Sequence, residues 1–522
     1  MQAATGWTLM VAAVALGYLL QGIHYARILL PSGDMVQYLI AGSLAVRGEI
    51  GLFEDRLVGN RPPLPFYVLG LTQLGGPSLM AARWLNIGWG LATLLVTARL
   101  AERLGGPRAG ILAALFLATQ GVVVAYYSAE GYYAFSACCF MAALLALFGG
   151  EGAHRRAIGA GLTALLFFVR ANLWPAIPFL LAYALYRASG IGERLRLFAI
   201  VAVPALAFFA WDPTHLKLLA YVPVARALVE PLGYRSALTL DGRVSLSAAE
   251  NLWELARLIR RYEFWVLATV LLVAIIGWRR LRGSWPPGAG PTRSSGGPVA
   301  VLSALFAYML GCQLVMFSWN WKWVGLYFLP FAPLLPVLLG VGFSHLLATA
   351  RASVASRALL LLALAGCLAL PAYFVRNPLL PVGEARAQEP LARVHDAAGH
   401  LKRLVPADAK VFFYGWNVGY YLSGLPKTYL QLVYGDWALP SVDVDEAVLR
   451  KSGFVPIRDV VFWISTDADY AVIDPGYIRA HADDFRGAPR LIQELLDRYF
   501  VKIATVSDYP AATYEVYRRK TR

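Results

Sequence analysis

Long apolar runs separated by short polar segments dominate residues 1–375 of this 522-residue chain. Many of the runs approach the roughly 20 residues that an α-helix needs to cross a bilayer. The pattern predicts a polytopic α-helical membrane protein with about eleven spans. The predicted spans are 7–30, 79–100, 109–128, 131–149, 157–170, 173–186, 197–211, 263–278, 299–318, 324–347 and 358–375.

The segment between the first two spans, residues 31–78, has a different pattern. Residues 35–47 carry most of their apolar side chains on one half of a helix, which predicts a short helix lying in the membrane interface. Gly48 is expected to end this helix. The prolines of Arg61-Pro62-Pro63-Leu64-Pro65 predict an extended stretch that leads into a second short apolar piece. We therefore expect juxtamembrane helices in this loop.

The remaining residues, 376–522, carry dense charges and no run long enough to span a bilayer. Alternating apolar residues predict strands at 410–416, 470–474, 500–506 and 513–518, and helical spacing predicts helices at 443–452 and 488–498. The chain is thus expected to have two domains. A membrane domain covers residues 1–375, and a small soluble α/β domain covers residues 376–522.

Composition agrees with this division, because 58% of the residues are hydrophobic and only 15% are charged. The formal charge of +15 is concentrated in short loops that fall on one side if the spans alternate. The positive-inside rule makes that side cytoplasmic, so no nucleic-acid partner is needed to explain the charge. We expect a multi-pass protein of the bacterial inner membrane, with a cytoplasmic N-terminus and an extracytoplasmic C-terminal domain. The absence of Lys or Arg before the first apolar run argues against a cleaved signal peptide.

Ionisable residues near membrane depth collect at the outer ends of the predicted spans. They are Asp34, Glu130, Arg170, Asp212 and Lys322. Such groups are costly near hydrocarbon unless they serve a water-filled cavity, so a cluster on one face predicts a site. Asp34 follows the first span, where a carboxylate can accept a proton from a hydroxyl group. Glu130 is a second acid on that face, and both acids can alternatively be solvated residues of turns.

Basic residues on the same face can bind a phosphate group. Lys322 lies between Trp321 and Trp323, and Arg61 and Arg170 flank apolar segments. Charge-assisted hydrogen bonds from these groups suit a lipid-linked phosphate. Contact with lipid headgroups is the alternative for each of them.

Familiar soluble-enzyme motifs are missing: we find no phosphate-binding glycine-rich loop, no HExxH and no GxSxG. The four cysteines show no disulfide framework or metal-ligand spacing. Two DxD sequences, at 443–445 and 467–469, fall in the soluble domain away from the predicted site. We interpret them as chance spacing, and no metal-binding residue is predicted.

The order of these features resembles the polytopic GT-C glycosyltransferases, in the branch of protein O-mannosyltransferases and the lipid A aminoarabinose transferase. The resemblance rests on the acid after the first span, on the juxtamembrane helix and on five segments. They are Arg61-Pro62-Pro63-Leu64, SAEGYYAFSACCF, LTALLFFVRANLWPAIPFL, the basic and proline-containing stretch from Lys322 through Pro330, Pro333 and Pro336, and Tyr421-Leu422-Ser423-Gly424. Met35 replaces the Glu that many relatives have there. Glu130 and Lys322 stand where Asp and Arg are frequent. These departures affect the identity of the substrate more than the reaction class.

The resemblance implies an inverting transfer of a sugar from a polyprenyl-phosphate donor, such as undecaprenyl phosphate, to an acceptor hydroxyl. It makes Asp34 the general base and Glu130 the second catalytic acid. The implied phosphate-binding residues are Lys322, Arg170 and Arg61. The residues implied to line the substrate cavity are Tyr38, Tyr127, Trp321 and Tyr421. The acceptor is a cell-envelope glycan, a lipid such as lipid A, or a protein. No cofactor is certain, and the need for a divalent metal stays open.

Two other functions are weighed against this one. A transporter or flippase of lipid-linked sugars is expected to show inverted repeats and broken helices near the midplane, and we see neither in the sequence. A non-catalytic scaffold gives no reason for Asp34 and Glu130 to share a face.

Overall fold

The computed structural model describes most of both predicted domains. The described residues are 2–31, 33–50, 62–211, 216, 219, 223–234, 256, 262–281, 296–316, 327–349, 365, 389–415, 417–425, 445, 447, 456–480, 482, 487–507 and 513–521. The boundary predicted between residues 375 and 376 lies outside them.

Helices make up the N-terminal part. They are α1 (Gln2–Ile28), α2 (Gly33–Val46), α3 (Leu64–Leu71), α4 (Leu79–Gly105), α5 (Pro107–Ala118), α6 (Gly121–Tyr127), α7 (Tyr133–Phe148), α8 (Ala153–Val169), α9 (Ala176–Arg187), α10 (Ile191–Trp211), α11 (Pro223–Val229), α12 (Glu263–Leu281), α13 (Gly296–Met316) and α14 (Leu334–Thr349). Each predicted span from 7–30 to 324–347 contains a helix. The last predicted span, 358–375, is outside the described residues except for residue 365.

The lengths of these helices do not confirm the predicted number of spans. Among the described residues, two helices are long and apolar enough to cross a membrane, at 6–28 and 79–105. The pair α5 and α6 adds a third if the two helices are counted as one span, although the chain bends by 75° between them. The bend leaves the Ala118 carbonyl without a helical partner, and the Gln21 side chain of α1 donates to it at 3.2 Å. The remaining apolar helices are shorter.

Hydrogen bonds between helices show which turns share an end of the bundle. Arg83, near the start of α4, bonds to the Ala26 carbonyl near the end of α1. The α8–α9 turn bonds to α2 and to Tyr327, and Tyr127 at the end of α6 bonds to the Leu329 carbonyl. We call this end of the bundle the site end.

The opposite end carries several of the basic loops. Trp7 of α1 donates to the Pro107 carbonyl at the start of α5, and Arg156 of α8 binds Glu193 of α10. The basic loops between α4 and α5, between α7 and α8, and between α9 and α10 thus lie away from the site end. Their assignment to the cytoplasm stays a prediction.

The juxtamembrane helices α2 and α3 form a tightly packed pair at the site end. The helix predicted at 35–47 is present as α2, and Gly48 follows it with φ +73°, a conformation that favours glycine. Residues 35–45 are all buried, so the half expected to be more polar is covered as well. The second helix begins at Leu64, within the stretch that the prolines predict to be extended, so that prediction is wrong for Leu64 and Pro65. Pro65 fits its first turn because the backbone N–H groups there have no helical acceptor.

Gly42 and Gly70 allow α2 and α3 to touch backbone to backbone. A Cβ on Gly70 would overlap the Gly42 carbonyl, and a Cβ on Gly42 would overlap the Phe66 carbonyl oxygen. We therefore expect Gly70→Ala to force the two helices apart and to lower stability by about 1–3 kcal/mol or more. Thermal unfolding of the detergent-solubilised protein measures the effect. Gly75→Ala is the control, because its Cβ would meet no atom within 4 Å. Equal melting temperatures for the two variants would disprove the close contact.

The C-terminal part is a small α/β unit. Its elements are α15 (Glu389–Leu404), β1 (Val411–Tyr414), α16 (Asn417–Ser423), α17 (Ile457–Phe462), β2 (Tyr470–Ile473), α18 (Pro475–Ala480), α19 (Ala488–Tyr499), β3 (Phe500–Val506) and β4 (Tyr514–Arg519). The sheet order is β1-β2-β4-β3, with β1 parallel to β2 and the other pairs antiparallel. Strands occupy all four predicted segments. The predicted helix 443–452 lies outside the described residues except for 445 and 447.

Alternating side chains of the strands build two separate cores. Val411 and Phe413 pack in the same cluster as α15, whereas Phe412 and Tyr414 pack in the cluster that includes α17, α18 and α19. The first cluster is continuous with the apolar core of the helical bundle. The C-terminal part therefore packs against the helical bundle at the site end.

Candidate active site

The site end brings together four segments that are distant in sequence: the start of α2, the 128–132 turn, the 170–172 turn and residues 327–329. Three of the predicted site residues lie in these segments with described side chains, namely Glu130, Arg170 and Tyr38. The contacts of each are specific.

Glu130 is fully buried and bound to an arginine. Its Oε2 accepts a hydrogen bond from Arg83 Nε at 2.8 Å and lies 2.8 Å from Arg83 Nη2. Arg83 is also fully buried, and its Nη1 donates to the Ala26 carbonyl at 2.6 Å. Asn86, one turn further along α4, donates to the carbonyls of Ala129 and Gly131, both at 2.6 Å. The acid therefore holds its turn against α4 and the end of α1.

Arg83 was not among the residues proposed from the sequence. The available signal was a cation inside an apolar run, which is costly without a partner and therefore marks an internal contact. Its partner Glu130 is 47 residues away, so the pairing itself could not be predicted from local pattern.

Arg170 is a nearly buried cation, 8% exposed, surrounded by aromatic rings. Its Nη1 donates to the Tyr38 hydroxyl at 2.6 Å. Its guanidinium carbon lies 3.9 Å from the centre of the Tyr132 ring and 5.5 Å from that of Tyr327. Aromatic faces stabilise a cation but do not neutralise it. No carboxylate among the residues with described side chains forms an ion pair with Arg170, which leaves it suited to an anionic ligand.

Tyr38 connects α2 to this cation. Its ring stacks on Phe66 of α3 with 4.4 Å between centroids, and it lies 4.8 Å from the Tyr132 ring. Since Tyr38 is only 1% exposed, its hydroxyl is fixed where Arg170 reaches it. The position of Arg170 thus depends on the position of the α2–α3 pair.

Asn172 fixes the turn that follows Arg170. Its Nδ2 donates to the Tyr327 carbonyl at 2.7 Å, and its own carbonyl accepts from Gln313 at 3.1 Å. These bonds bring the turn next to the residue that follows segment 317–326. Lys322 and Trp321 belong to that segment, which lies outside the described residues.

Asp34 is described in its backbone only. It occupies the first turn of α2, where the helix dipole favours a negative charge. The next residue, Met35, packs on the 128–132 turn, because a Cβ on Gly131 would lie 2.9 Å from Met35 Sδ. The Asp34 side chain and all of Arg61 lie outside the described residues.

Tyr127 and Tyr421 were predicted to line the substrate cavity. Tyr127 is fully buried, and its hydroxyl donates to the Leu329 carbonyl at 2.7 Å. Tyr421 is 1% exposed, and its hydroxyl donates to Gln73 Oε1 at 2.8 Å, between the C-terminal part and the loop after α3. Each hydroxyl therefore joins two segments that are distant in sequence. Their place in a substrate cavity stays a prediction.

The DxD sequence at 467–469 binds a lysine. Lys410 Nζ lies 2.6 Å from Asp467 Oδ1, and the Lys410 backbone N–H donates to Asp469 Oδ2 at 3.0 Å. The hydrogen bond with Asp467 raises the pKa of Lys410 above its ordinary value. No group of three metal-binding side chains occurs among the described residues.

Comparison with solved structures identifies a shared fold. The chain matches the crystal structure of ArnT from Cupriavidus metallidurans bound to undecaprenyl phosphate, with 14% identity, a TM-score of 0.58 and 98% of each chain covered. The apo structure of that protein matches with 15% identity, a TM-score of 0.57, and 99% of this chain and 98% of that chain covered. The mycobacterial arabinofuranosyltransferase AftD matches with 18% identity and a TM-score of 0.49, over 98% of this chain and 40% of AftD.

No protein-family model matches the sequence, and no curated protein matches it. The likeness is therefore one of structure, and it extends over nearly the whole of this chain and of ArnT. The shared architecture combines a helical bundle with a small C-terminal mixed sheet. The chain therefore shares the fold of ArnT, as the resemblance drawn from the order of the sequence motifs predicts.

Proposed function

We propose that this protein is a membrane glycosyltransferase that moves a sugar from a polyprenyl-phosphate donor to an acceptor hydroxyl on the extracytoplasmic side, with inversion. The observation that carries the proposal is Arg170, a nearly buried cation at the site end that forms no ion pair with any described carboxylate. A phosphate can complete its hydrogen bonding and neutralise its charge. ArnT, which shares the fold, has been crystallised with undecaprenyl phosphate.

Arg170 would act on the leaving group. As the bond between the anomeric carbon and the phosphate oxygen breaks, its electron pair stays on the phosphate, whose negative charge grows. A fixed guanidinium in a partly dry site stabilises that charge without reorganising. Tyr38 and Tyr132 fix the guanidinium on two sides. Lys322 and Arg61 are proposed as further cations for the same phosphate.

Asp34 would activate the acceptor. Its carboxylate takes the proton of the acceptor hydroxyl while the hydroxyl oxygen forms a bond to the anomeric carbon on the face opposite the phosphate. Attack on that face inverts the configuration of the sugar. Glu130 is bound to Arg83, so we propose that it positions the turn beside α2 and contributes to the reaction through that placement.

The proposed acceptor is a glycan, lipid or protein of the cell envelope. The C-terminal part lies at the site end, where an extracytoplasmic acceptor would arrive. A flippase would bind the same donor. It differs in that it moves the intact lipid across the membrane and transfers no sugar.

Lipids retained by the purified protein give the first test. We expect mass spectrometry to find a polyprenyl phosphate or its glycoside on the wild type, and about 10- to 100-fold less on Arg170→Gln, because charged hydrogen bonds contribute about 1.5–3 kcal/mol. Arg99→Gln is the control, since Arg99 lies near the end of α4 away from the site end. Lys322→Ala is expected to behave like Arg170→Gln.

Bulk phospholipid alone on every variant would contradict a lipid-linked donor. Retained donor without transfer to any envelope acceptor, together with its movement across a vesicle bilayer, would favour the flippase.

A further inference from the structure

Tyr421 joins the C-terminal part to the membrane part through a buried hydrogen bond. Its hydroxyl donates to the side chain of Gln73, which is 348 residues away in sequence. Gln73 is fully buried and Tyr421 is 1% exposed. Burial raises the pKa of Tyr421 above its ordinary value, so its hydroxyl keeps the proton that it donates. Buried hydrogen bonds of this kind specify one relative placement of the groups they join.

Gln73 also fixes the start of α4. Its Oε1 accepts a second hydrogen bond from the Ser78 backbone N–H at 2.8 Å, and its Nε2 donates to the Ser78 carbonyl at 3.0 Å. Ser78 is the N-cap of α4, whose first turns carry Arg83 and Asn86. One amide thus connects the soluble part to the helix that holds the Glu130 turn.

Gln73 also lies just after α3, and α3 is connected to Arg170 by its contacts with α2. Gln73 lies two residues beyond the end of α3, and α3 is fixed to α2 where Gly42 and Gly70 touch. Phe66 of α3 stacks on Tyr38, whose hydroxyl accepts from Arg170. Gln73, Phe66 and Tyr38 are all buried, and a closely packed interior transmits a displacement from one side chain to the next.

We propose that the soluble domain sets the geometry of the phosphate-binding site, with Tyr421 and Gln73 as positioning residues that act through α3 and α2 on Arg170. The proposal rests on the function proposed above, since Arg170 is there the ligand of the donor phosphate. It makes the C-terminal domain part of the donor site, with Tyr421 acting through Gln73 and the helices that follow.

The test measures the affinity of the full-length protein for undecaprenyl phosphate in four forms: wild type, Tyr421→Phe, Arg170→Lys and the double variant. Tyr421→Phe removes one hydroxyl and leaves the ring packing. We expect it to weaken binding at least about threefold in the wild-type background and much less in the Arg170→Lys background, because the two residues would act on one interaction. Arg170→Lys keeps a charge but loses the planar fork, so its weaker binding stays measurable.

Tyr517→Phe is the matched control. Tyr517 lies in the same domain and donates to Glu515, in the core cluster away from the helical bundle. The Tyr517→Phe variant loses one hydrogen bond, as Tyr421→Phe does, but should leave the affinity for undecaprenyl phosphate unchanged. A purely stabilising role for Tyr421 predicts that both variants lower the melting temperature and that neither changes the affinity.

Four outcomes overturn the proposal. Wild-type affinity in Tyr421→Phe, or an equal loss in Tyr517→Phe, would show that the interface does not set the site. Additive effects in the double variant would show that Tyr421 acts elsewhere than on Arg170. If the wild type does not bind undecaprenyl phosphate at all, the proposed function fails and this proposal fails with it.

Discussion

Replacing Asp34 with asparagine is expected to slow sugar transfer by about 100- to 10,000-fold, the usual contribution of a general base. Asparagine has nearly the same shape as aspartate but cannot accept the proton of the acceptor hydroxyl. The donor phosphate is proposed to bind to Arg170 and its neighbours, so the affinity for the donor should change little. A large fall in kcat with a nearly constant KM for the donor separates a base from a residue that only binds substrate.

Single-turnover transfer from the donor retained by the purified protein measures this effect. The wild-type rate should fall as the pH is lowered and the base becomes protonated, and the variant should lack that fall. Glu49→Gln is the control, since Glu49 is a half-exposed acid after the other end of α2 that pairs with Arg47. Full transferase activity in a normally folded Asp34→Asn protein would show that the base has been assigned wrongly.

Much of the fold could be predicted from the sequence because its signals are local. An apolar run predicts a helix wherever it packs, so helices occur at each predicted span in the described residues. Alternation of period two likewise located β1 to β4. The end of α2 was visible at Gly48, whose positive φ requires no neighbour from elsewhere in the chain.

The other features of the fold and of the site could not be predicted, because they depend on contacts between residues that are distant in sequence. The composition of α2 suggested a helix with one more polar half, but α3, α16 and the 128–132 turn cover it, and its burial could not be deduced from residues 35–47 alone. The cavity role that the resemblance implies for Tyr421 stays a prediction, but the hydrogen bond from its hydroxyl to Gln73, 348 residues away, could not be deduced from the sequence. Arg170 could be proposed as a phosphate ligand, but the aromatic rings around it come from three other segments.

Glu130→Gln is expected to destabilise the protein by about 3–5 kcal/mol, the cost of removing one partner of a buried ion pair. The variant leaves the Arg83 guanidinium fully buried and without the carboxylate that it contacts in the wild type. Chemical or thermal unfolding in detergent measures the loss. Glu151→Gln is the matched control, because Glu151 pairs with Arg187 at the surface, with its side chain 86% exposed. Surface pairs of this kind contribute little, so the control should unfold nearly as the wild type does.

The double variant Arg83→Met with Glu130→Gln separates the ion pair from the packing around it. Methionine fills much of the arginine stem and carries no charge, so the double variant should recover most of the stability that Glu130→Gln loses. It should still fall short of the wild type, because the Ala26 carbonyl loses its donor. If the double variant loses as much stability as the two single substitutions together, the two side chains do not depend on each other. Recovered stability with slow sugar transfer would show that the pair also places the end of α1, and with it Asp34, for the reaction.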